Sequence, residues 1–135
     1  MDSISIELPG SEIESITLEN EVLSIRFSRA LIVKTMTGSV ERTLWWQKGT
    51  LTMGRAEVEG EIPTGHLVAA GGDVGENLYT YRDMIPIPLD SRGRAHCDLR
   101  FRDTEAHLRA RGDSVRVHME ATPKYIRHIR TGEDA

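Results

Sequence analysis

The chain has 135 residues, 39% of them apolar and 28% charged, with a net charge of −4. That length suits one domain with its own core, and that charge gives no overall attraction to nucleic acid or an anionic membrane. No apolar run approaches the ~18 residues of a membrane-spanning helix, and a lone cysteine, Cys97, excludes an internal disulfide.

The opening stretch, MDSISIELPG, has neither the basic nor the apolar region of a signal peptide. With the single cysteine, this makes the cytosol the expected compartment and Cys97 a small core residue. Arg outnumbers Lys 14 to 3. Arg suits bidentate pairing with anions, although a codon bias produces the same count.

Short alternating segments separated by turn signals recur from end to end, without a long 3.6-residue stripe. ESITLENEVLSIRF reads as a hairpin with Asn20-Glu21 in the loop. Leu18 then faces Leu23 and Ile16 faces Ile25, and Asn tolerates the left-handed backbone such a loop needs. RALIVKTMTG continues as a strand. ERTLWWQKGTLTMGRAEVEG reads as a second hairpin with Lys48-Gly49 at its tip, so that Leu44 faces Met53 and Trp46 faces Leu51. After Gly54 the apolar parity slips to Ala56 and Val58, the mark of a bulge.

AAGGDVGEN reads as a flexible connection or gate. It leads into a strand, not a helix, so it lacks the context of a phosphate loop. In the strand that follows, Pro86 and Pro88 cannot donate ladder hydrogen bonds, which predicts pairing on one side only.

The last third carries the clearest register. With tips at Asp103-Thr104 and Gly112-Asp113, three strands align as Phe101–Ala106–Met119, Leu99–Leu108–Val117 and Cys97–Ala110–Val115. The tripeptide Arg111-Gly112-Asp113, which resembles an integrin-adhesion motif, then reads as a hairpin tip. The opposite face collects Arg100, His107, Arg109, Arg116 and His118, with His96 beside Arg111. These residues form a candidate surface for an anionic ligand or a protein partner. Equally, the face reads as a solvated sheet with cross-strand ion pairs.

Three further features have chemical potential. Tyr79, Tyr81 and Asp83 share strand parity and would line an interior pocket if the strand runs unbroken. A bulge near Arg82-Asp83 would instead turn the carboxylate to water, sparing a buried charge. Trp46 shares parity with Leu44 and goes inward, leaving Trp45 outward beside Thr43 and Thr52 as a candidate interface anchor. Metal ligands are too few for a predicted site, and no nucleophile motif or cofactor signature occurs.

These signals predict an all-β antiparallel sandwich or barrel of about nine to ten strands over residues 1–130, with a C-terminal three-stranded meander and a disordered tail over 131–135. The expected role is a non-enzymatic binding module, without a cofactor, whose partner is an unidentified protein or a small anionic ligand. Homodimerisation is a further expectation. Two alternatives remain open: a calycin-like barrel with an interior ligand pocket, and an enzyme using Asp83 or the His107/His118 pair.

Overall fold

The computed structural model describes residues 3–36, 38 and 41–130. Among them the chain forms nine strands: β1 (Ser3–Glu19), β2 (Val22–Thr35), β3 (Arg42–Gly54), β4 (Glu57–Glu59), β5 (Leu67–Glu76), β6 (Tyr79–Arg82), β7 (Met84–Pro86), β8 (Asp90–Phe101) and β9 (His107–Ile129). No described helix is long and apolar enough to cross a membrane. The tail expected over 131–135 lies outside the described residues.

All nine strands belong to one sheet, ordered β6-β5-β8-β9-β3-β2-β1-β7, with β4 also on β9. β1 pairs a second time, with β5, at Glu12↔Val68 and Ile13↔Leu67. That contact closes β1, β2, β3, β9, β8 and β5 into a ring, so the expected all-β antiparallel fold takes a partly closed barrel form. Closure leaves few strand edges open. The interior is filled by aliphatic side chains around Phe27, including Ile6, Ile13, Leu23, Leu51, Leu99 and Leu108. Each such side chain contributes about 1.5–3 kcal/mol when fully buried, which fixes the register of the strands that carry them.

The first hairpin has the predicted register, Leu18↔Leu23 and Ile16↔Ile25. Its loop residues Asn20 and Glu21 both have positive φ, 49° and 64°, as a two-residue loop matched to strand twist requires. The β8–β9 hairpin is also as predicted, with Leu99↔Leu108 and Cys97↔Ala110, and Asp103 turns the chain at φ 59°. β7 pairs with β1 alone, as Pro86 implies, and Pro88 lies beyond its end.

Two expected hairpin tips are absent. β3 continues through Lys48-Gly49 without reversing, and β9 does so through Gly112-Asp113. Val115, Val117 and Met119 therefore pair with Met53, Leu51 and Gly49 of β3, not with Ala110, Leu108 and Ala106. Both glycines serve close approach. A Cβ on Gly49 would lie 2.6 Å from Met119 Sδ, and one on Gly112 would lie 2.5 Å from the Gly54 carbonyl oxygen. The predicted meander is thus a hairpin whose second strand continues along β3.

AAGGDVGEN is likewise no gate; most of it is strand β5. Its glycines let neighbours lie against the strand. A Cβ on Gly72 would strike the Asp98 carbonyl oxygen, and one on Gly75 would strike the His96 ring.

One irregularity shapes the outer surface. Inward parity changes between Met53 and Ala56 in the β3–β4 run and between Ala110 and Val115 in β9. The β8 ladder shifts between Arg92 and Ala95, with Gly93 at φ 118°. Yet β3 and β4 keep one register along β9, Gly54↔Ser114 continuing to Glu57↔Arg111. The bend therefore falls at Arg55, whose φ is 46°, and Arg55 Nε reaches Asp113 Oδ2 at 3.5 Å. Three adjacent strands kink at one level and form a crease. Asn77 pins its far end, donating from its backbone N to the Arg94 carbonyl oxygen at 2.7 Å and from Nδ2 to the Arg92 carbonyl oxygen at 3.3 Å.

Candidate functional site

The crease opens a groove of about 550 Å³ on the outer face, lined chiefly by Arg55, Glu57, Arg94, His96 and Arg111. A second depression of about 450 Å³ adjoins it, with Glu59, Asp98 and Arg109 on its walls. Glu57, His96 and Arg111 border both, so the two form one trough over β4, β9 and β8.

Strand pairing arranges its charges in rows. Glu57, Arg111 and His96 face one another across the three strands, and Glu59, Arg109 and Asp98 form the next row. Arg111 donates to Glu57 Oε2 from Nε at 3.2 Å and from Nη2 at 3.0 Å. Arg109 Nε lies 3.5 Å from Asp98 Oδ2, and His107 Nε2 contacts Asp98 Oδ1 closely. Arg94 forms no ion pair with a described residue and stands exposed at the crease. The groove at the crease therefore holds three guanidinium groups and an imidazole against one carboxylate. Guanidinium forks pair with carboxylate and phosphate through parallel N–H···O bonds.

The sequence-predicted surface is partly assembled. Arg100 and His107 are register partners, and Arg109 sits opposite Asp98. Arg116 and His118 lie elsewhere, because β9 does not fold back at Gly112. Arg116 faces Asp90 and Thr52, and His118 faces Thr50. The predicted His107–His118 pair becomes two residues on one strand, roughly 35 Å apart at ~3.3 Å per residue. Among the described residues, no three His, Cys, Asp or Glu side chains are placed to hold a metal ion.

The two tryptophans are exchanged relative to expectation. Trp45 packs against the core, edge-on to Tyr125 with centroids 5.2 Å apart, and its Nε1 donates to Thr43 Oγ1 at 2.8 Å. Trp46 takes the outer face, with Lys124 Nζ 4.9 Å and Arg29 5.7 Å from its ring centroid. Leu44, whose parity points Trp46 inward, belongs to a second small cluster with Val33 and Ile129. This end of the sheet is apolar on both faces, so alternation alone does not identify the inside.

Tyr79 is 66% exposed on the edge strand β6 and points to solvent. Tyr81 donates to Glu76 Oε2 at 3.1 Å, and partial burial followed by that carboxylate raises its pKa. Asp83 interrupts the strand at φ 59°, where the bulge was placed. Its carboxylate does not turn to water but accepts from Gly72 N at 2.9 Å. Its backbone N donates to the Gly72 carbonyl oxygen, and its carbonyl oxygen accepts from Leu8 N. Asp83 is thus the joint between β5, β1 and the β6–β7 run, and these three residues do not line an interior pocket. Cys97 is buried among core residues, which pushes its thiol up to about 12.

Sequence reasoning placed Arg111 beside His96 but missed Arg55 and Arg94. The available signal was the coincidence of two parity breaks, Met53 to Ala56 and Ala110 to Val115, with a glycine in SRGRA. Comparison with protein-family models, curated proteins and solved structures finds no match.

Proposed function

We propose that this protein is a non-catalytic binding module that receives an anionic group, carboxylate or phosphate, in the groove at the crease. The observation that carries this reading is the convergence of Arg94, Arg111 and His96 on an open groove whose lining holds Glu57 as its acid, with Arg55 beside them on Asp113. Arg111 is held in place by Glu57, and Arg94 is left to meet the ligand. The rigid strands beneath them preorganise the site, limiting the ordering cost of binding.

The test is a titration of inorganic phosphate and citrate followed by amide chemical shifts. The expected result is saturable binding, centred on residues 94–96 and 111–112, that weakens with salt as exposed charge pairing does. Arg94→Ala weakens it several-fold, and Arg116→Ala, beyond the crease and beside Asp90, leaves it unchanged. Equal, unsaturable responses from all three proteins would remove the proposal.

A further inference from the structure

The trough is electrically polar along its length. At the crease Arg94 is the cation without an ion pair among the described residues, while Arg55 reaches Asp113 at 3.5 Å. In the middle, Arg111 and Glu57 cancel through their hydrogen bonds. At the other end Asp98 is held by both Arg109, at 3.5 Å, and His107, which leaves Glu59 as the acid of that wall without such a partner among the described residues. The positive and negative ends are therefore fixed by strand register. Arg94 and Asp98 are four residues apart on β8, roughly 13 Å at ~3.3 Å per residue, and adjacent rows are about 7 Å apart.

We infer that the trough takes a linear zwitterion, its anionic end over Arg94 and its ammonium end over Glu59. The inference rests on the anion-binding reading above and adds the second charge and the spacing. An extended free peptide of about three residues spans roughly 10 Å between its terminal charges, about 3 Å less than the end rows, a gap within reach of the long Arg94 and Glu59 side chains. Its neutral backbone would lie over the Glu57–Arg111 pair, where the net charge is close to zero. Like charges at either end would repel the reversed orientation, so the trough also sets direction.

Three probes of one length separate the two ends: trialanine carries both charges, N-acetyl-trialanine only the carboxylate, and trialanine amide only the ammonium. Trialanine is expected to bind roughly fivefold more tightly than N-acetyl-trialanine, the scale of one exposed ion pair. Glu59→Gln should erase that difference, and Arg94→Ala should weaken both peptides alike. If N-acetyl-trialanine matches trialanine in the wild type, the zwitterion inference fails and anion binding stands. If neither peptide binds but citrate does, the spacing is wrong and the inference fails. If none of the anions binds, both readings fail together.

Discussion

Two places in this chain reverse what glycine is usually taken to mean. Asn20-Glu21 contains no glycine, yet it turns the chain in two residues with both φ values positive. Gly112-Asp113 has turn composition, yet β9 continues through it without reversing. The difference lies in what stands beside each pair. Asn20 and Glu21 are exposed, so the strands flanking the loop decide the geometry. At Gly112, the Gly54 carbonyl oxygen and Met53 Cγ leave no room for a Cβ, at 2.5 and 2.6 Å. Glycine there marks a close approach between strands.

The largest effect that separates the two sites is a one-residue insertion. Between Gly112 and Asp113 it would shift every later residue of β9 to the opposite face. Val115, 1% exposed, would turn outward together with Val117 and Met119, which pack against the same core. At about 1.5–3 kcal/mol per side chain, the loss rivals the 5–15 kcal/mol typical of a whole domain, so cooperative urea unfolding should disappear. The same insertion between Asn20 and Glu21 lengthens a loop to another common hairpin size and should cost about 1 kcal/mol. Gly112→Val keeps the register and should cost about 3 kcal/mol through overpacking. A sharp, near-native transition in the 112/113 insertion would restore the hairpin-tip reading.

The β8–β9 hairpin provides a second effect, read through pH. Cys97 faces Ala110 inside the barrel, and its thiol is raised from about 9 to about 12 by burial. The folded state then holds this proton where the unfolded state has lost it. The stability from the neutral buried thiol is complete below pH 9 and declines as pH rises toward 12. The slope is roughly 1.4 kcal/mol per pH unit in that window. Cys97→Ala should flatten that part of the stability–pH curve while lowering stability at neutral pH. Rapid alkylation of native Cys97 at pH 8 would contradict the burial.

Local pairing was legible in the sequence because the partner is a few residues away. Leu18 against Leu23 and Leu99 against Leu108 follow from alternation plus a short loop. Non-local pairing was not legible, for an identifiable reason. Val117 sits against an apolar neighbour whether it faces Leu108, as predicted, or Leu51, as observed. Period-two patterning is satisfied by both partners and cannot choose between them. The site divides in the same way. His96 and Arg111 are hairpin neighbours and were found together. Arg55 and Arg94 join them only through a kink shared by β3–β4, β9 and β8, which no single segment encodes. Closure of the barrel was equally hidden, since it depends on two ladder pairs and on Asp83 bridging β5 and β1.

The smallest effect returns to the first loop and tests why it turns. Asn at position 20 tolerates positive φ, but Glu21 at φ 64° carries a Cβ into the left-handed region, at a cost of roughly 1–2 kcal/mol for an ordinary residue. Glycine removes that strain and adds entropy to the unfolded chain. Glu21→Gly should therefore stabilise the protein by about 0.5–1 kcal/mol, measurable as a small rise in urea midpoint at constant slope. The Glu21 side chain is exposed, and the carbonyl oxygen that accepts from Ala56 N at 2.7 Å is retained, so no tertiary contact offsets the gain. Asn20→Gly should gain less, because Asn already accepts the conformation. A loss of stability in Glu21→Gly would mean that the side chain holds the β1–β2 tip by contacts of its own. The expected gain would mean that glycine is useful at the turn that lacks one and indispensable at Gly112, where no turn exists.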